Sequence, residues 1–187
     1  MIYIVFAHPY PSQSRANRAL LDAVRSLSGV EVSSLYDRYP DFDIDIAAEQ
    51  EALSRAQLVV WMHPVFWYSV PGLLKHWFDK VLSYGWAYGD GGEALYGKDC
   101  LWVATTGGSA ESYSATGIHQ REFADFARAI ESTAVFCGMN WQSPWILHGA
   151  AEIDGEALAS QARQLRQRLE PWLVAREGSA NLEDNPP

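Results

Sequence analysis

The chain has 187 residues, of which 48% are hydrophobic and 13% aromatic, and this length suits one domain with an ample apolar core. Its formal net charge of -9 argues against nucleic-acid binding and against general attraction to anionic lipid, but leaves docking on a basic protein surface open. Cys100 and Cys137 form no CxxC motif, so we expect two buried thiols in a reducing cytosol and no metal site.

The apolar runs of the chain predict a protein of the cytoplasm. None approaches the ~20 residues that a membrane-spanning helix needs. The first run, Met1 to Ala7, has no basic region before it and leads directly into His8 and Pro9. We therefore interpret it as a strand and not as a signal peptide.

Strand-like apolar runs alternate with helical patterns along the whole chain. In chain order the predicted elements are a strand over Ile2–Ala7, a helix over Ser14–Leu27, a strand over Val30–Leu35, an acidic and aromatic loop over Tyr36–Asp45, a helix over Ala47–Ala56, a strand over Leu58–Met62, a helix over Val70–Ser83, a glycine-rich excursion over Tyr84–Gly97, a strand over Asp99–Thr105, a helix over Glu122–Gly138, a strand within Met139–Leu147 and a helix over Glu156–Arg176. This alternation predicts an α/β three-layer sandwich, with a five-stranded parallel sheet in the order 2-1-3-4-5 and helices on both faces. We expect one domain over residues 1–177 and a frayed, polar tail over 178–187.

In that topology the loops after strands 1, 3 and 4 meet at the carboxyl edge of the sheet, where ligands bind. After strand 1, Ser14 stands at a helix N-cap position, and Arg15, Ala16 and Asn17 follow in the first turn. Free backbone N–H groups and the helix dipole favour a phosphate there. A simple N-cap is the alternative, and His8 could equally be a loop histidine with a carbonyl partner.

The loop after strand 3 is rich in aromatic residues, which are costly to expose unless a flat group lies on them. It contains Pro64, Val65, Phe66, Trp67 and Tyr68. A ligand contact is one interpretation of this loop. A well-packed connection from strand to helix is the other.

The segment after strand 4 offers hydroxyl groups and an accessible backbone. Thr105, Thr106, Gly107 and Gly108 suit the hydrogen-bonding rim of a flavin ring, although a plain turn is the alternative. Further on, Tyr113 and His119 could stabilise negative charge that develops at a ring edge, or could be ordinary polar surface groups.

Together these motifs resemble those of the NAD(P)H dehydrogenase (quinone) family of flavodoxin-like flavoproteins, over nearly the whole chain. The residues that carry the resemblance are His8, Ser14, Asn17, Ala48 to Gln50, Pro64 to Pro71, Leu74, Lys75, Trp77, Thr105 to Gly108, Tyr113, Ser114, Gly117 to His119 and Phe136 to Gly138. The stretches Ser34–Asp45 and Ser83–Gly97 are similar to ancillary subunits of glutathione-regulated potassium-efflux systems.

The resemblance implies a bound flavin, with its phosphate on Ser14–Asn17 and its ring against Val65–Tyr68 and Thr105–Gly108. FMN is favoured by the short loops and by the similarity to ancillary subunits, whereas the pair of Tyr113 and His119 is typical of members that use FAD. That pair matches the catalytic residues that stabilise the reduced flavin. The resemblance also implies a homodimer, in which Trp86 or Tyr88 closes the substrate site of the other subunit.

The implied activity is that of an NAD(P)H dehydrogenase (quinone), in which NAD(P)H gives a hydride to the flavin and a quinone then takes two electrons. An ancillary subunit would act beside a potassium-efflux antiporter, on the cytoplasmic side of the inner membrane. The alternatives are a free-standing quinone reductase and a regulatory flavin-binding subunit with vestigial activity. A receiver-like switch domain fits less well, because it needs an acidic cluster where this chain has His8 and Pro9.

Overall fold

The computed structural model describes residues 1–174. The strands are β1 (Ile2–Phe6), β2 (Val30–Ser34), β3 (Leu58–Pro64), β4 (Asp99–Thr105), β5 (Asn140–Trp141) and β6 (Trp145–Leu147). The helices are α1 (Arg15–Val24), α2 (Leu35–Arg38), α3 (Ile46–Arg55), α4 (Gly72–Val81), α5 (Phe123–Phe136), α6 (Gly155–Leu169) and α7 (Pro171–Val174). Among residues 1–174, no helix has both the length and the apolar character needed to cross a membrane.

The strands form one parallel sheet in the order β2-β1-β3-β4-β5, with β6 also paired to β4. In the register of this sheet, Ile2 lies opposite Val30 on one side and Leu58 on the other, and Leu58 lies opposite Asp99. Every residue of β1 and β3 is buried, as expected for strands covered on both faces. The predicted α/β architecture and strand order are confirmed.

Successive side chains of each strand point to opposite faces and so enter two different cores. Tyr3 and Val5 of β1 pack on the face covered by α2, α3, α4 and α5. Ile2 and Ile4 pack on the other face, against α1 and α6. The two cores hold the strands so that the loops after β1, β3 and β4 meet at one edge.

The fifth strand lies where the sequence predicts it but is divided into β5 and β6. Pro144 stands between the two pieces, and a proline has no N–H to donate to a strand ladder. Both pieces pair with β4, so together they occupy the predicted position of the fifth strand at the edge of the sheet. The predicted last helix ends at Leu169, a short second helix follows, and the predicted tail over 178–187 lies outside the described residues.

One buried carboxylate ties several elements together. Glu49 of α3 is fully buried. Its oxygens accept hydrogen bonds of 2.7–2.9 Å from the Tyr3 and Tyr39 hydroxyls, the Ser33 hydroxyl and the Trp77 indole. They also form an ion pair of 3.1 Å with the Arg38 guanidinium. Burial, with the Glu49 charge second, raises the pKa of Tyr3 far above its usual value and keeps that phenol a donor.

Candidate functional site at the carboxyl edge of the sheet

The carboxyl ends of β1, β3 and β4 open onto a cavity of about 310 Å³. Residues predicted from three separate loops line it: His8, Ser14, Arg15, Ala16, Asn17, Pro64, Val65, Phe66, Thr105, Thr106 and Gly107. Gln13, Ala150 and Ala151 line it as well, although the sequence analysis did not single them out. The structure therefore brings together most of the predicted cofactor residues in one concave site.

The first turn of α1 forms one end of this cavity. The Ser14 hydroxyl accepts a hydrogen bond of 3.2 Å from the backbone N–H of Asn17 and so caps the helix. The N–H groups of Arg15 and Ala16 lie in the first turn, where a helix offers them no acceptor of its own. These N–H groups and the positive end of the helix dipole favour an anion here.

Asn17 lies against the same end of the cavity and is only 3% exposed. Its side-chain nitrogen donates to the Thr105 hydroxyl at 2.8 Å, while its Oδ1 has no hydrogen-bond partner within residues 1–174. A buried polar atom without a partner costs about 1–3 kcal/mol. A ligand hydroxyl group that donates to Oδ1 would remove that cost.

His8 stands at the start of the loop after β1. Its Nδ1 accepts a hydrogen bond of 3.0 Å from the backbone N–H of Tyr10, so the neutral ring carries its proton on Nε2. Burial lowers the pKa of His8, which favours this neutral form. The partner is a backbone N–H and not the carbonyl that the alternative interpretation expected.

The aromatic loop after β3 contains a tight two-residue turn. Phe66 and Ser69 exchange two backbone hydrogen bonds of 3.0 Å, and Trp67 and Tyr68 between them have φ angles of 48° and 63°. Such a turn normally holds Asn-Gly, because positive φ is unfavourable for residues with large side chains. The Trp67 side chain is 92% exposed. The chain thus maintains a strained turn that presents two aromatic rings just outside the cavity lining.

The segment after β4 supplies an open stretch of backbone. No atom lies within 4 Å of the position that a Cβ on Gly107 would occupy, so this glycine faces open space. The Thr106 hydroxyl donates to the Gly108 carbonyl at 2.8 Å and lies 2.9 Å from His148 Nδ1. The backbone of Gly107 is therefore accessible to the edge of a ligand.

Tyr113 and His119 lie together beside this segment. Their rings stack with centroids 4.3 Å apart, and His119 Nε2 is 3.3 Å from the position that a Cβ on Gly108 would occupy. Burial raises the pKa of Tyr113, and its side-chain interaction with Thr106 opposes that shift in part. A phenol and an imidazole thus lie beside Gly108, next to the cavity-lining Gly107, as potential hydrogen-bond donors.

Residues 1–169 match the family model described as "Flavodoxin-like fold", which agrees with the strand order and helix layers of the structure. The chain belongs to this flavodoxin-like family. Two solved structures share about a third of its residues. General stress protein 14 of Treponema denticola, in complex with FMN, is 36% identical, with a TM-score of 0.85, over 91% of this chain and 98% of that chain. A protein described as a thermophilic tryptophan halogenase from Streptomycin violaceusniger is 34% identical, with a TM-score of 0.86, over 90% of this chain and 98% of that chain.

A third flavodoxin-like structure carries a different description. It is a candidate quinone reductase from Klebsiella pneumoniae, 25% identical, with a TM-score of 0.77, over 91% of this chain and 84% of that chain. Two of the three descriptions name different enzyme activities and one names none, although the fold is shared. The fold alone therefore does not determine the activity of this chain, which depends on its own site.

The two residues expected to close a substrate site lie away from the cavity of this flavodoxin-like domain. Tyr88 lines a second cavity, of about 500 Å³, between α4 and α5. Trp86 packs, partly buried, against the core on that side. Within one chain, neither residue lines the first cavity. Their expected role across a dimer remains a prediction.

His148 lies directly after β6 and is a site residue that no sequence motif indicated. Its ring centroid is 5.4 Å from that of Tyr113 and 5.0 Å from that of Phe123. Like the other site residues, His148 directly follows a strand at the carboxyl edge of the sheet, and that position could have indicated it. No group of three or more His, Cys, Asp or Glu side chains among residues 1–174 could hold a metal ion.

Proposed function

We propose that this flavodoxin-like protein is a flavin-dependent NAD(P)H:quinone oxidoreductase that holds FMN in the cavity of about 310 Å³. The observation that carries the proposal is the unpartnered, buried Oδ1 of Asn17 beside the first turn of α1. At this end of the cavity the first turn of α1 favours a phosphate, and Asn17 Oδ1 favours a hydroxyl group that donates to it. FMN has both groups, a phosphate and the hydroxyls of its ribityl chain.

Two observations support FMN over FAD. The similar protein from Treponema denticola is described in complex with FMN. In this chain, the Arg15 guanidinium donates to the Ile153 carbonyl and links the first turn of α1 to the loop before α6. A dinucleotide would have to extend past this contact.

Each part of the cavity has a role in the proposal. A bound flavin supplies the hydride acceptance and the two-electron chemistry, and the protein supplies binding, orientation and electrostatics. The Ser14–Asn17 turn binds the phosphate, and the segments Pro64–Tyr68 and Thr105–Gly108 hold the ring, with His8 Nε2–H as a further donor. Tyr113 and His119 donate hydrogen bonds toward negative charge that develops at the ring edge.

The test is to purify the protein, record its visible spectrum and identify the released cofactor. Gly107→Ala adds a methyl group to open space in the cavity, so we expect unchanged thermal stability and weaker FMN binding. Gly155→Ala is the matched control, since a Cβ there also meets no atom within 4 Å but lies at the start of α6. A colourless protein that takes up neither FMN nor FAD contradicts the proposal.

Reduction of quinones by NADH or NADPH is then measured on the loaded protein. The description of the Klebsiella pneumoniae protein supports quinone as the acceptor. NAD(P)H oxidation that does not respond to any quinone would contradict this part of the proposal while leaving the flavin site intact.

We also propose a cytoplasmic role as the ancillary subunit of a glutathione-gated potassium-efflux antiporter. The net charge of -9 and the exposed carboxylates of Asp41, Asp43 and Asp45 support docking on a basic cytoplasmic surface. Co-purification with an antiporter and loss of efflux on deletion are the expected results. Their absence would leave a free-standing reductase.

A further inference from the structure

The hydroxyl of Tyr68, in the strained turn after β3, meets the imidazole of His119. The Tyr68 oxygen lies 3.2 Å from His119 Nδ1, and the two rings meet edge to face with centroids 5.4 Å apart. This contact joins residues 51 positions apart in the sequence. It connects the aromatic turn directly to the Tyr113 and His119 pair.

Tyr68 is held in place from its other side. Its ring stacks on Phe126 of α5, with centroids 4.9 Å apart and an angle of 25° between the planes. Its φ of 63° is unfavourable for an aromatic residue and persists only where surrounding contacts maintain it. Its contacts with Phe126 and His119 fix where its hydroxyl points.

His119 is likewise held from several directions. Its backbone N–H donates to the Ser112 carbonyl at 3.2 Å, and its ring stacks on Tyr113. With Nδ1 facing the Tyr68 hydroxyl, Nε2 is the nitrogen that lies at Gly108. A neutral imidazole carries one proton, so the partner of Nδ1 decides whether Nε2 donates or accepts.

We propose that Tyr68 is a positioning residue for His119: its hydroxyl donates to Nδ1 and so keeps the imidazole proton on Nε2, at Gly108. A donor at Nε2 is what negative charge at the rim of the cavity requires, whereas an acceptor there would repel it. The mechanistic part of this inference rests on the proposed flavin function. The tautomer itself does not, because it belongs to the flavin-free protein.

The first test is long-range 1H–15N NMR of the His119 ring in flavin-free protein at a pH where the ring is neutral. We expect the Nε2–H tautomer in the wild type, with the Nδ1 resonance of a nitrogen that accepts a hydrogen bond. Tyr68→Phe keeps the ring on Phe126 but removes the donor, so the Nδ1 resonance shifts and Nδ1–H tautomer appears. Tyr96→Phe, at a tyrosine that is 77% exposed, is the matched control and leaves the spectrum unchanged.

An Nδ1–H tautomer in the wild type overturns the proposal, and so does a His119 spectrum that Tyr68→Phe leaves unchanged. Thermal unfolding of Tyr68→Phe accompanies the spectra and shows that the variant is folded. If the protein binds neither FMN nor FAD, the proposed function fails. The spectra still show whether the Tyr68 hydroxyl sets the tautomer of His119.

The second test uses protein loaded with FMN. We expect Tyr68→Phe to slow reduction of the bound flavin by about fivefold, since one neutral hydrogen bond is lost. The KM for NAD(P)H is expected to stay the same, because the hydroxyl acts through His119 and not on the nicotinamide. An unchanged rate beside a changed tautomer would overturn the positioning role.

Discussion

The stacked pair of Tyr113 and His119 is where a single side-chain group should matter most for the rate of the proposed reaction. We expect Tyr113→Phe and His119→Gln each to raise the barrier to flavin reduction by about 2–4 kcal/mol, since the first removes a donor at developing negative charge and the second replaces the imidazole N–H by an amide on a differently shaped side chain. Neither residue lines the cavity of about 310 Å³, so both variants should retain flavin. Stopped-flow reduction by NAD(P)H, with the spectrum of bound flavin as the control, measures both effects. Turnover at the wild-type rate in both variants contradicts the assignment.

The buried His63 of β3 predicts a pH dependence of stability that is independent of any cofactor. Its Nε2 accepts from the Trp102 indole at 2.7 Å, and its Nδ1 donates to the Pro64 carbonyl at 2.9 Å. Burial lowers the pKa of His63 to about 4, from 6.5 in the unfolded chain. Between these values the unfolded state binds more protons than the folded state. The free energy of unfolding should therefore fall by about 3 kcal/mol as the pH drops from 6.5 to 4.

Urea unfolding at a series of pH values measures this effect. His63→Gln has no group that titrates at this position, so its stability is expected to fall less over the same range. The difference between the two proteins isolates the histidine from the carboxylates that titrate alongside it. Equal slopes in the two proteins would show that His63 does not contribute.

At the scale of the element, the turn from Phe66 to Ser69 lowers the stability of the fold, because it holds two aromatic residues at positive φ while exposing their rings. Residues with side chains at positive φ cost of order 1–3 kcal/mol each, and asparagine tolerates that region best. We expect Trp67→Asn to raise the free energy of unfolding by about 1 kcal/mol, which is ~2–4 °C in Tm for a chain of this size. Affinity for FMN should fall in the same variant, because Trp67 belongs to the loop that the proposal places against the flavin ring.

Calorimetry and flavin titration measure the two halves of that prediction. Ile118→Asn is the control, since Ile118 is 83% exposed and does not have a positive φ. It should not gain stability. A Trp67→Asn protein that is less stable than the wild type would show that the turn is not strained.

The Glu49 network acts between elements, joining α3 to β1, β2, α2 and α4. Glu49→Gln replaces a carboxylate that accepts four hydrogen bonds and pairs with Arg38 by an amide whose nitrogen can only donate. Since the surrounding groups are themselves donors, we expect a loss of about 3 kcal/mol in the free energy of unfolding. Chemical denaturation measures it. Glu51→Gln, at an exposed position of the same helix, is the control and should change stability by less than ~0.5 kcal/mol.

The sequence predicts the elements and the meeting of their loops better than it predicts contacts. Apolar runs such as Ile2–Phe6 identify the strands, and the rule for the carboxyl edge then brings Ser14, Phe66 and Thr105 to one cavity. The division of the fifth strand depends on where Pro144 falls in the ladder. The Glu49 network and the Tyr68–His119 contact join residues far apart in sequence, and no local pattern records such pairings.

At the scale of the whole molecule, two cavities flank the aromatic turn. Phe66 lines the cavity of about 310 Å³, while Ser69 and Val70 line the cavity of about 500 Å³ between α4 and α5. Beside the second cavity, Phe136 is 70% exposed and Val135 is 56% exposed. Exposed apolar side chains beside a cavity are a common mark of a protein interface. A second copy of the chain on this face would lie next to the turn and hence next to the candidate site.

This arrangement predicts a homodimer that Phe136→Asp converts to monomer, because a charge would be buried without a partner in the interface. Light scattering measures the mass, and thermal unfolding shows whether the variant is folded. Ile46→Asp makes the same change of charge at a partly exposed apolar residue that does not line the second cavity, and should remain dimeric. If Trp86 or Tyr88 of one copy closes the site of the other, the Phe136→Asp monomer should also lose quinone reduction while retaining FMN. A wild-type protein that is monomeric at micromolar concentration contradicts the dimer, and a fully active monomer contradicts the shared site.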